Sequence, residues 1–131
     1  MLTHFGITLG ALVVLDTLWL GFLMNGFYKN QLAPIARMGD GKMTPNWPAA
    51  ALVYLCLAMG ITVLVLGRAR SPLEALMLGA FFGLVVYGTY DFTNYSTLRD
   101  YPLALAVVDL AWGTVICGGS AWITATLSRV S

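Results

Sequence analysis

Three aspartates stand inside apolar runs that otherwise read as membrane-spanning: Asp16 in "VVLDTLWLG", Asp91 in "VVYGTYDFTNY" and Asp109 in "AVVDLAWGT". An ionised carboxylate at bilayer depth costs at least a few kcal/mol, so such residues face a bundle interior or a water-filled cavity and mark ion and proton sites. No lysine or arginine lies within these runs to neutralise them. Two outcomes are open. Either a loop cation (Arg99, Lys29 or Arg37) folds inward, or an acid keeps its proton because desolvation and mutual repulsion disfavour the charged form. Both make the place one where a proton or cation is exchanged. Two of the acids also carry a tryptophan three residues on, Trp19 after Asp16 and Trp112 after Asp109. That spacing shares a helix face, so an indole can bound the acid's cavity, donate a hydrogen bond to it or offer its face to a cation.

The elements that hold these residues follow from composition. Of 131 residues 59% are hydrophobic and only 10% charged, with a mean hydropathy of +0.79, outside the range of an ordinary soluble domain. A spanning helix needs about 20 mainly apolar residues. Four segments qualify, at about 2–24, 48–66, 72–95 and 103–127, and they leave no room for a separate soluble domain. The expected fold is all-α, an antiparallel four-transmembrane-helix bundle forming one transmembrane domain over 1–131. The first run lacks a basic leader segment and carries Asp16, so it reads as a retained span and not a cleaved signal peptide.

Punctuation supports the boundaries. "SPLE" at 71–74 sets Ser71 as N-cap, Pro72 at the first helical position and Glu74 as capping-box partner. Gly67 is a stop for the second helix, and Asp100 in "LRDYP" offers an N-cap for the fourth. Only the first link is long. Its segment 27–38 reads either as an interfacial helix, with Phe27, Tyr28, Leu32 and Ile35 towards lipid, or as an ordered loop bent at Pro34. "GITLG" at 6–10, "GAFFG" at 79–83 and Gly113, Gly118 and Gly119 supply small surfaces for helix packing within the chain, a homodimer contact being the other reading.

Converting position to depth at about 1.5 Å per residue brings the acids together. Asp16, Asp91 and Asp109 fall about 14, 9 and 10 Å below one face, side B, which carries the first and third loops. Tyr87, Asp91 and Asn94 share a stripe of the third helix, Tyr54 lies near the same level on the second, and Asn25, Tyr28 and Arg99 stand at the rim. The half towards side A, where both termini are expected, reads as almost nothing but Leu, Val, Ile, Ala and Gly. Trp47, Tyr101 and Trp122 fit interfacial belts. The loops carry four basic residues on side B against three on side A, which gives no usable orientation.

The binding or proton-handling set is therefore Asp16, Trp19, Tyr54, Tyr87, Asp91, Asn94, Asp109 and Trp112. The leading reading is binding or transport of a proton, cation or small polar ligand at an acidic recess opening to side B. The alternatives are a lipid-modifying membrane enzyme or subunit, with an aspartate as general acid or base, and an assembly protein whose acids are interhelical glue. No nucleophile with a nearby base is evident: Cys56 and Cys117 differ in depth and read as packing thiols, and His4 lies near a terminus. No cofactor or metal is expected, and a net charge of +1 argues against nucleic acid, leaving the lipid bilayer as the partner.

The stretches "VVLDTLWLGF", "FYKNQLAPI" and "VYGTYDFTNYSTLRDYPLALAVVDLAWGT" resemble a family of small bacterial membrane proteins filed as domain of unknown function 2177. The resemblance covers the whole chain and places Asp16, Trp19, Asp91, Asn94, Asp109 and Trp112 at motif positions. It implies a four-span protein of a bacterial inner membrane and carries no activity.

Overall fold

The computed structural model describes residues 2–23, 26–27, 38–39, 42–43 and 47–128. Helix α1 covers Leu2–Leu18 and runs on as a π-helical stretch over Trp19–Leu23. Two two-residue strands, β1 (Met38–Gly39) and β2 (Lys42–Met43), pair antiparallel with Met38 opposite Met43. Helix α2 covers Trp47–Gly60 and continues in π geometry over Ile61–Leu66, followed by α3 (Pro72–Thr97) and α4 (Leu103–Ser128). All four are long and apolar enough to cross a membrane. At 26 residues each, α3 and α4 are about 39 Å long, more than the hydrocarbon thickness of about 30 Å. Residues 28–37 of the segment 27–38 and the rim residues Asn25 and Tyr28 lie outside the described residues.

The expected cap of α3 is present: the Glu74 amide donates to Ser71 Oγ at 3.1 Å, with Pro72 opening the helix. Gly67 does end α2, in right-handed geometry (φ −65°) and not the left-handed form common to glycine stops. Asp100 is not the cap of α4. Pro102 intervenes, and its carbonyl accepts from Ala106 at 3.2 Å, so the helix begins two residues beyond the point Asp100 could reach as cap.

Helices α3 and α4 form the tightest pair, because glycines let their backbones meet. A Cβ on Gly79 would lie 2.7 Å from the Cys117 carbonyl oxygen, and one on Gly83 only 2.2 Å from that of Gly113. As α3 advances from Gly79 through Gly83 to Gly88, its neighbours on α4 recede from Ala121 through Gly113 to Leu110, which makes the pair antiparallel. Thr8 meets Thr124 and Asp16 meets Trp112, so α1 also runs against α4. Gly60 abuts Phe82, while Leu64 and Leu78 line one groove, so α2 runs against α3. The result is an up-down-up-down bundle.

The other glycine pattern behaves differently. A Cβ on Gly6 or Gly10 would meet nothing within 4 Å, so the two glycines of "GITLG" face outward and bring no backbones together, while Thr8 between them is buried against Thr124. Leu12, Ala58, Ile61, Ile116, Cys117 and Ala121 fill the centre, and Val14, Leu52, Phe81 and Val115 are exposed around the outside. Water would penalise such an exterior, whereas hydrocarbon matches it. Cys117 packs in the core as expected, but Cys56 does not, because its position on α2 turns outward.

Candidate functional site

The polar groups of the side-B half form two hydrogen-bonded centres. The first is built on Asp16, half-buried on α1. Its Oδ1 accepts from Trp112 Nε1 of α4 at 3.0 Å, and its Oδ2 accepts from the Tyr54 hydroxyl of α2. One carboxylate therefore ties three helices together. The tryptophan that serves Asp16 is not its own i+3 neighbour but that of Asp109. Trp19 instead stacks on Trp112, with centroids 4.4 Å apart and planes 4° from parallel. The paired rings wall the acid on one side and fix the donor indole.

The second centre is built on Asp91 of α3, which is fully buried. Its Oδ1 accepts from the Tyr101 hydroxyl at 2.7 Å, while Oδ2 is buried without a hydrogen-bond partner among the described residues. Asp109 of α4 interacts with Asp91 carboxyl to carboxyl, and among the described residues no basic side chain acts on Asp91. Asn94, one turn from Tyr90, interacts with the phenols of Tyr90 and Tyr101. The loop explains the reach of Tyr101. Leu98 leaves α3 in extended geometry, the Tyr101 amide donates back to the Leu98 carbonyl at 3.3 Å, and Pro102 keeps the chain out of helix. The ring thus folds under the end of α3, where burial, and then the bond to Asp91, pushes its phenol above the usual tyrosine range.

Tyr87 lies between the centres. It is close enough to feel Asp16, Asp109 and Tyr54, and its ring occupies the space a Cβ on Gly113 would take, 2.0 Å from that position. The glycine is thus required by a tyrosine on the facing helix. Helix register separates the centres in depth: Asp16 is level with Trp112, one turn below Asp109. Among the described residues no three His, Cys, Asp or Glu side chains converge, so the three acids are a pair and a single rather than one ligand set.

Of the expected site residues, Asp16, Trp19, Tyr54 and Trp112 meet in the first centre and Asp91, Asn94 and Asp109 in the second, with Tyr87 between. Arg99 is exposed in the loop. Tyr101, read as a belt residue, is instead buried against Leu105 and Ala106, and Phe27 packs there instead of facing lipid. Its signal was the proline after it, which reverses the chain beneath α3. The side-A half is not purely apolar either, since Thr8, Thr62, Ser120 and Thr124 are buried there. An apolar groove of about 200 Å³ between α2 and α3, lined by Leu64, Val65, Leu78, Phe81, Phe82 and Val85, lies apart from the acids.

Fold and contacts define a class: a four-span helical membrane protein that turns carboxylates, phenols and indoles inward and hydrocarbon outward. Such inversion is what a bilayer imposes on polar side chains. The chain belongs to the family described as predicted membrane protein (DUF2177), whose profile matches residues 1–126. No curated protein and no solved structure matches it.

Proposed function

We propose that this protein binds or moves a proton, a cation or a small polar ligand at its intramembrane acids, with Asp91 and Asp109 as the exchanging pair and Asp16 as the post that holds their surroundings. The observation that carries the reading is Asp91: fully buried, bonded through one oxygen to Tyr101, and left with an oxygen unpartnered among the described residues while a second carboxyl stands against it. Buried polar atoms are nearly always partnered, and an orphan one marks a place of function or strain. A proton shared between the carboxyls, or a cation between them, satisfies that oxygen. Asp16 differs. Both its oxygens have donors on other helices, the pattern expected of interhelical glue, so the structural reading applies to this acid. The setting we infer is a bacterial inner membrane, since the spans are helical whereas outer-membrane spans are barrels.

The test is infrared difference spectroscopy of the purified chain across a pH step, with Asp91→Asn, Asp109→Asn and Asp16→Asn compared for thermal stability in detergent. The reading expects a titrating carboxyl band in the wild type that Asp91→Asn or Asp109→Asn removes without unfolding the chain. If no carboxyl band titrates and the Asp91 and Asp109 variants merely melt earlier, those acids are structural and the reading fails.

A further inference from the structure

An acidic site reached from one face does not by itself make a path across the membrane. The opposite half of the bundle carries a second polar layer. Eight residues from the first centre along each helix stand Thr8 on α1 (from Asp16), Thr62 on α2 (from Tyr54) and Ser120 on α4 (from Trp112), all about 12 Å deeper towards side A. Thr8 Oγ1 and Thr124 Oγ1 are 2.7 Å apart, and Thr124 also donates to the Ser120 carbonyl at 2.9 Å.

Two of these hydroxyls stand out. Threonines in helices ordinarily donate to the carbonyl one turn back, as Thr89, Thr97 and Thr114 do here. The hydroxyls of Thr62 and Ser120, residues 4% and 0% exposed, have no hydrogen-bond partner among the described residues. Thr62 sits where α2 passes into π geometry, which shifts the carbonyls away from their α-helical places. Together with Asp91 Oδ2 they are the buried side-chain oxygens without a partner among the described residues. A buried hydroxyl in that condition offers a bound water one of the two to four polar partners it needs.

We propose that Thr62 and Ser120, with the Thr8–Thr124 pair, bind water in this layer and pass protons between the acidic site and the far face of the membrane. A single chain then holds a path from side to side. Midway between the layers lie the buried Leu12, Ala58 and Ile116; in the proposed path they serve as an apolar constriction that conducts when wetted and closes when dry. Only O–H bonds change. Each water or hydroxyl releases one proton as it takes another, the hydroxyls then turn back, and a counter-ion current balances the charge. The path rests on the acidic site proposed above and names the proton as what that site handles.

The experiment uses the full chain in phosphatidylcholine–phosphatidylglycerol vesicles holding a pH-sensitive dye, with a potassium gradient and valinomycin to drive protons. Wild-type vesicles are expected to change internal pH faster than protein-free ones. Thr62→Val and Ser120→Ala should each slow this at least about fivefold while leaving the unfolding midpoint unchanged or raised, because each removes a buried, unpartnered hydroxyl. Thr62→Ser should keep the flux. Should Thr62→Val fail to fold, Ser120→Ala alone carries the test. Flux no faster than in protein-free vesicles, or flux that neither substitution changes, overturns the path. The carboxyl band of the same preparations separates the two ideas: a titrating Asp91 band without flux defeats the path alone, and no band defeats the site as well.

Discussion

Gly83→Ala tests the packing that positions the second centre. The new Cβ would stand 2.2 Å from the Gly113 carbonyl oxygen and 2.8 Å from its carbon, both backbone atoms with no rotamer to escape through. Restoring ordinary contact requires the two helices to part locally by about 1 Å, and gaps of that size forfeit a quarter to a half of the dispersion energy of the atoms they separate. Overpacking of this kind costs about 1–3 kcal/mol, and a backbone obstacle puts this site at the upper end. The loss should fall on α3 and α4 where Tyr87 fills the space against Gly113, so the Asp91–Asp109 contact loosens with it. Stability is read by denaturant titration in mild detergent, with Gly10→Ala as control, since a methyl there meets nothing within 4 Å. Gly83→Ala should lose about 2–3 kcal/mol and Gly10→Ala under about 0.5 kcal/mol. Equal stability of the two variants would refute the close approach of α3 and α4.

At Asp16, the Asn variant should keep most stability, because its carbonyl still accepts from Trp112 while its amide donates to the Tyr54 oxygen. Asp16→Val strands both donors and should lose about 1–3 kcal/mol, given what interhelical hydrogen bonds contribute in membranes. A Val variant as stable as wild type in the same titration would show that these bonds hold nothing. Tyr101 gives an alkaline signature. Its phenol is raised above 10.0 in the folded chain by burial and by Asp91, so folding favours the protonated form. That stabilisation is complete below about pH 10 and drains away as pH rises past it. Melting temperatures of wild type should therefore fall more steeply above about pH 10 than those of Tyr101→Phe, and parallel curves would contradict its burial on Asp91.

The two glycine patterns illustrate the reach of sequence reasoning. "GITLG" and "GAFFG" are equivalent as strings, yet the glycines of one face outward and those of the other let two backbones touch. Spacing places small residues on one face of a helix, and only the partner helix decides whether that face is buried. The Asp-x-x-Trp pairs teach the same point. Spacing put each indole beside its own acid, whereas the Asp16 bond comes from the tryptophan of the other pair because α1 and α4 run side by side in opposite senses.

What the residues determined alone was what a bilayer demands of a chain: four long apolar helices, the Ser71 cap and short links between the last three. Those are local consequences of hydrophobicity, length and capping, and each can be counted along one strand of text. Tertiary structure decided which polar atoms meet. It split three acids into a pair and a single, brought Tyr101 under Asp91 and left two hydroxyls of the far half without partners among the described residues. These depend on helix rotation and register, which are fixed by close contacts such as Gly83 on Gly113 between residues distant in sequence, and no period within a single helix encodes them.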